Sequence, residues 1–465
     1  MAHLVIVTGG LTGLFRACQA LIQQLQQTSH RITYAAPGKA PTELSALNIP
    51  TVSIPAWEFP SKQTTLRYSE KNYWEKIYHL KDRQQQAIAN LKMDVFIQQL
   101  QQLSPDLLLI DIELHPHIMT AVAADYPVAL LCPFISLWRH THIPPIHTSI
   151  IPGSGWRGQP WGILWSWLRY SWQKWKSHQR DRLHKAGCDY ISILKKYAQQ
   201  IHYPFQSQFG LNQWLVPYPH KNLPILCLHA KELDFPHQPH PSMHYLGPMV
   251  HHVSKESLSS NSHQKVNHFI TENSHQPLIY CGFSSFTPAK PQYLQHIIET
   301  ASNNPNWKFI VGLGGKSLSQ LFETLPNNLL IPNNLLILDW APQIQILKQA
   351  SCALINGGAH SITECIHFGV PMIVSPLQRD DQNGNAARVK YHGLGEIYHE
   401  QNSEPKRLQN IIQTVLKKQT YRAKVISMQE QFHHYTNNSV AAKTINQLLR
   451  AQTASPPAKI QEAAS

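Results

Sequence analysis

Two glycines, a serine and a glutamate crowd into the run INGGAHSITECIHFGVP. There apolar CALIN closes on Asn356 and is followed by Gly357, Gly358, His360, Ser361 and Glu364. Glycines let backbone turn sharply and come close to a ligand. A helix opening near Ser361 aims unpaired N–H groups at the same spot, which suits a phosphate. The spacing S-x-x-E also fits a capping box, in which Ser361 and Glu364 do no more than close the helix end. The neighbours argue for a ligand. Upstream, DWAPQIQIL sets Trp340 at a strand end, with Ala341, a strand-closing Pro342 and the amide of Gln343; downstream, PLQRDDQNGN brings Asp381 and Gln382 to another. A flat ring, a phosphate-shaped turn and a polar cluster on successive strand ends are what a nucleoside diphosphate carrying a sugar would use.

The elements that must position these residues follow a regular alternation. The first half reads HLVIVT, a glycine loop, a helix over residues 14 to 26, RITYAAP, a polar helical stretch over 66 to 102, DLLLID, a helix and PVALLCP. The second half restarts with PLIYCGFSSF, then WKFIVGLG, NLLILDW, CALIN and VPMIVSP, with helices between. Strand and helix in turn predict an α/β fold with two parallel sheets. The His-, Pro- and Ser-rich stretch from His229 to His268 reads as solvated linker, its histidines lacking a metal-ligand spacing. We expect a domain over 1–250, a linker over 251–276, a second domain over 277–450 and a loose tail over 451–465.

Composition bounds the partners. In 465 residues, 40 Lys+Arg against 27 Asp+Glu give a net charge of +13, which favours anionic partners. The basic residues are scattered and no nucleic-acid-reading motif occurs, so no nucleic acid is expected. Seven single cysteines without a CxxC pair read as reduced, buried thiols in a cytoplasmic protein. No apolar run is long enough to span a bilayer.

The run Trp340-Ala-Pro-Gln343, Ser361-x-x-Glu364, Gly369-Val-Pro371 and Asp381-Gln382 resembles the signature of the UDP-dependent glycosyltransferases of family 1. Bacterial members of the zeaxanthin glucosyltransferase type are included in that likeness. HYLGPMV and IYCGFSS look like that family too. The resemblance implies the GT-B fold, two Rossmann-like parallel-sheet domains facing a cleft. It implies an inverting hexosyltransferase that takes a UDP-sugar such as UDP-glucose, with no cofactor or metal. Trp340 would stack on uracil, Gln343 and Glu364 would hold the ribose, Ser361 with Gly357 and Gly358 the diphosphate, and Asp381 and Gln382 the sugar. Asn356 stands where the family usually has His, His360 where it often has Asn, and Ser284 replaces the usual Gly of its loop; both Asn356 and His360 keep donors. Asp380 makes the pairing of the acidic position ambiguous by one residue.

The family's base, a His in the first glycine loop, is replaced by Leu14 in GGLTGLFRACQAL. LIDIELHPH offers Asp111, Glu113 and His115 in its place, since alternate strand residues share a face. The alternative readings are a strand-end turn with a helix start, transfer without a strong base, or binding of the nucleotide sugar without turnover. Arg16 could steer a phosphate, pair with one of these acids, or be an ordinary surface arginine.

Residues 161 to 176, WGILWSWLRYSWQKWK, put Trp161, Trp165, Leu168, Trp172 and Trp175 on one narrow helical face beside many cations. That pattern fits a peripheral membrane contact through 156–185 and equally a core helix. Either way the acceptor is expected to be small and lipophilic, with a membrane-surface glycolipid synthase as the alternative.

Overall fold

Strands that are apolar at every position cannot show one face to water, so each must be covered on both. The computed structural model describes residues 1–9, 12–38, 44–45, 47–56, 73–208, 220–251, 261–272, 275–283, 291–315, 330–377, 381–399 and 405–454. Seven parallel strands form the first sheet: β1 His3–Val7, β2 Arg31–Pro37, β3 Thr51–Ile54, β4 Leu107–Asp111, β5 Val128–Cys132, β6 Ile225–Cys227 and β7 Met243–Tyr245. Their order is β3-β2-β1-β4-β5-β6-β7. The second sheet runs β10-β9-β8-β11-β12-β13, with β8 Leu278–Gly282, β9 Lys308–Gly312, β10 Leu335–Leu338, β11 Cys352–Ile355, β12 Met372–Val374 and β13 Gly395–Ile397. Every residue of β1, β4, β5, β9 and β11 is buried, as two covering helix layers require.

The strand order of an open α/β sheet reverses at one point, and ligands bind beyond the carboxyl ends of the strands there. In the first sheet the reversal lies between β1 and β4, so Gly9 and Asp111 border it. In the second it lies between β8 and β11, where Asn356 and the two glycines follow.

Several expectations change. The stretch 251–276 is not all linker: helix Asn261–Thr271 buries His263 and packs Val266 into the second core. Its neighbours 252–260 and 273–274 lie outside the described residues. Helix Val440–Ala454 crosses back, seating Ala441 and Ile445 among Leu14, Leu21 and Leu25 of the first core, and His30 Nε2 meets Asn446 Oδ1 at 2.9 Å. The proposed tail therefore begins inside a helix, and 455–465 lie outside the described residues. Strands β3, β6, β7 and β13, three or four residues long, are additional to the strands expected from the sequence. All seven cysteines are buried and free.

A buried ion pair joins the halves. Asp234 Oδ1 accepts from Arg388 Nε at 2.9 Å and Nη2 at 2.6 Å, and from the Phe235 N–H at 2.8 Å. Arg388 lies on helix Gln382–Tyr391, its guanidinium 4.6 Å from the Phe235 ring centre. Beside it, Gly384 leaves no room for a side chain, because an added Cβ would stand 2.0 Å from the Ile146 carbonyl. Removing one member of such a pair strands a charge in the interior. Asp234→Ala is expected to cost about 3–5 kcal/mol in urea unfolding, and Asp234→Leu with Arg388→Met to restore most of it.

Candidate functional site

The glycine turn follows β11 directly. Gly357 has φ +85°, and a Cβ there would meet Val374 Cγ1 at 2.8 Å, so only glycine fits without strain. Gly358 is the N-cap of helix Ala359–His367, and a Cβ on it would meet nothing within 4 Å among the described residues. Bare backbone therefore faces open space at a helix N-terminus, a place built for an anion.

The capping box does not form. Ser361 sits inside the helix, no side chain caps it, and Glu364 turns inward, fully buried. Gln343 donates to Glu364 Oε2, and its Oε1 accepts from Tyr280 Oη at 3.0 Å. Ser361 Oγ lies 3.5 Å from Gln343 Nε2. Burial works against ionising Glu364, yet His360 at 3.3 Å, Arg16 and His251 outweigh it and hold the carboxyl below its ordinary range. A charged acceptor thus stands ready beside an amide, suited to paired hydroxyls. Among the described residues, His251, His360 and Glu364 also bring potential metal-ligating atoms within 4.8 Å of one another.

The remaining donor-side candidates surround this centre. Trp340, about half exposed, follows β10, and Ala341 is admitted against Gly312, where a Cβ would stand 2.7 Å from the Ala341 methyl. Asn356 donates to the Ser375 carbonyl at 3.2 Å. Gln382 is turned back on its own loop, Oε1 accepting from Leu377 N–H at 2.8 Å. Asp381 Oδ2 accepts from Asn385 Nδ2 at 2.8 Å, and the same amide donates to the Gly357 carbonyl at 3.0 Å. Ser284 and Asp380 lie outside the described residues.

Two residues were undervalued in the sequence. Asn385, fully buried, ties the glycine turn to Asp381; its place one helical turn after Asp381 was the available signal. Arg16 is more than a surface arginine: from helix Thr12–Leu25 of the first half it lays its guanidinium 5.4 Å from the Trp340 ring centre. The carboxyl edges of the two sheets therefore meet here.

On the facing side the three acid–base candidates separate. Asp111 ends β4, its Oδ2 receiving Gly9 N–H at 3.4 Å and its Oδ1 Glu113 N–H at 3.1 Å. Burial raises its carboxyl to about 6 against these two hydrogen bonds. The strand stops at Asp111, so the alternation that would align Glu113 with it does not apply; Glu113 lies in a turn and acts electrostatically on Tyr190. His115 is walled into the core, its Nδ1 3.4 Å from His220 Nε2, and burial depresses it to about 3. Leu14 is buried in the first core.

Residues 218–437 match the family model described as UDP-glucoronosyl and UDP-glucosyl transferase. UDP-glucuronosyltransferase 3A1 of Xenopus laevis is 25% identical over 197 residues, 41% of this chain and 34% of the relative. Zeaxanthin glucosyltransferase of Pantoea ananas is 25% identical over 166 residues, 36% of this chain and 35% of the relative. Each match thus spans about a third of the relative's length. The solved glycotransferase of kitacinnamycin superposes with a TM-score of 0.64 at 17% identity, covering 96% of this chain and 98% of that one. At that identity the likeness is one of fold, the GT-B arrangement of two facing Rossmann-like domains.

The two glycines should respond differently. Gly357→Ala is expected to lose about 1–3 kcal/mol in thermal unfolding, because it forces a side chain into a left-handed, filled position. Gly358→Ala is expected to stay within about 1 kcal/mol of wild type while weakening nucleotide binding in calorimetry, since its methyl enters the open space.

Proposed function

From the match of residues 218–437 to the family of UDP-glucoronosyl and UDP-glucosyl transferases, we propose that the chain transfers a hexose from a UDP-sugar to a hydroxyl of a small lipophilic acceptor, with inversion. The observation that carries the reading is the cluster of Gln343, Ser361 and the charged, buried Glu364 beside a glycine turn open at Gly358. In this reading uracil stacks on Trp340, Gln343 and Glu364 take the ribose hydroxyls, and Ser361 with the backbone of Gly358 receives the diphosphate. Asp381 and Gln382 reach the sugar. Arg16 supplies the cation that balances the departing diphosphate.

No metal or other cofactor enters this reaction as we read it. The cytoplasm is its compartment, in keeping with seven buried thiols. Among the described residues no helix is long and apolar enough to cross a membrane. A lipophilic acceptor is supported by the aromatic helix of the first half and by the zeaxanthin-named relative.

Asp111 is our choice of base among the three candidates. It borders the switch point of the first sheet, its Oδ2 receives the N–H of the side-chain-free Gly9, and its proton affinity is raised toward neutrality. A base works deprotonated, so kcat/KM is expected to fall tenfold per pH unit below about pH 6 and to level above it. Asp111→Asn should remove that limb and cost roughly 100-fold or more in rate. The second reading, a nucleotide-sugar-binding protein without turnover, is favoured by the burial of both Leu14 and Asp111. Calorimetric titration with UDP and UDP-glucose tests the donor site: wild type should bind, and Glu364→Ala should weaken binding by roughly tenfold or more, the worth of a charge-assisted hydrogen bond. Binding without release of UDP in the presence of lipid-extract acceptors would select the second reading; no binding by folded wild type would overturn both.

A further inference from the structure

Helix Pro160–His184 has two faces of different kind. One is packed: Ile163 and Trp167 are buried, and Trp167 Nε1 donates to the Ile143 carbonyl at 2.7 Å. The other is bare. Trp161, Trp165, Trp172 and Trp175 are 53–63% exposed, and Leu168 and Leu183 are exposed with them. At about 100° per residue these six fall within roughly 100° of arc, centred away from Ile163 and Trp167. The sequence left core helix and interface helix open; in the structure a single tryptophan of the helix, Trp167, faces the core.

We propose that this face seats the protein on the headgroup region of an anionic membrane, with the helix lying in the plane of the interface. Charge selects the occupant. Arg169, Lys176, Arg180 and Arg182 flank the aromatic stripe, and from 156 to 185 the chain holds one acidic residue, Asp181. A second copy of the same surface would bring these cations against one another, whereas anionic lipid neutralises them and accepts indole rings at headgroup depth. Lys176 already places its ammonium 5.1 Å from the Trp172 ring centre, so cation and ring reach the same layer. The helix holds 25 residues and is not apolar enough to span, which leaves the in-plane orientation.

The aromatic surface continues at the helix end. Arg83 donates to the carbonyls of Lys76 at 3.0 Å and Lys185 at 3.4 Å, which brings helix Tyr73–Tyr78, with Trp74 and Tyr78 exposed, beside it. At the other end, Ile143, which holds Trp167, lies three residues from Ile146, whose carbonyl abuts Gly384 of the donor-side domain. The docked helix is therefore braced close to where the halves meet. For the transfer proposed above, this gives a lipid-dissolved acceptor a short route to the cleft; the docking itself does not rest on that reading.

Flotation tests it with vesicles of phosphatidylcholine alone and of phosphatidylcholine with phosphatidylglycerol in equal parts. Wild type is expected to float with the anionic vesicles, with its tryptophan emission shifted to the blue, and to partition at least tenfold less onto phosphatidylcholine. The triple variant Trp165→Ser, Trp172→Ser, Trp175→Ser should lose the shift and at least tenfold in partition, with circular dichroism and UDP affinity unchanged. Arg169→Gln with Arg180→Gln should lose the preference for anionic lipid and keep a weaker, lipid-independent binding. Equal flotation of wild type and triple variant, or none by wild type, overturns the proposal. A dimer in sedimentation velocity that the triple variant dissolves overturns it in favour of self-association. Retained UDP affinity with lost flotation separates this surface from the donor site.

Discussion

The arrangement turns on a buried charge pair. Asp234, at the end of a short 3-10 turn Lys231–Leu233 in the first half, and Arg388, on a helix of the second, are both fully out of water. Neither could be buried alone, since an uncompensated ion in the interior costs several kcal/mol. Each half therefore needs the other at one place and in one orientation. Around the pair the contacts are specific: the Phe235 ring under the guanidinium, His392 Nε2 at 3.1 Å from the Asp234 carbonyl, and the Ile146 carbonyl pressed on Gly384. A further link holds nearby, where His229, kept neutral by burial that lowers it to about 4, reaches Thr363 Oγ1 and the Pro133 carbonyl.

That constraint carries through to the glycine turn. Arg388 and Asn385 belong to one helix, so the pairing that fixes Arg388 also fixes the amide that holds Gly357 and Asp381. The same closure lets Arg16 of the first half reach Trp340 of the second. A polar site made of residues from both sheets is thereby dependent on a fully buried charge pair. The return of helix Val440–Ala454 to the first core adds a covalent strap to the same end.

Much of the site was legible from the chain because it is local. Glycines after an apolar run, an amide and a ring at the next strand end, and a parallel α/β alternation are all written within short windows. Asp111 was legible as a strand-end acid, while Glu113 and His115 were not separable from it, because where β4 stops depends on its neighbours β1 and β5. Arg16 resists reading because its partner Trp340 lies more than three hundred residues away, and Asn385 because the Gly357 carbonyl that it holds belongs to another element.

The sequence by itself determined the two parallel sheets, the turn at Gly357 and Gly358, and a helix with four of its five tryptophans on one side, since periodicity and backbone sterics act over a few residues. Only the tertiary structure decided that Glu364 faces inward and does not cap its helix, that His115 is sealed in the core, and that the tryptophan stripe faces outward. Those outcomes turn on which surfaces pack against which, and packing is settled by residues more than a hundred positions apart, as with Asp234 and Arg388.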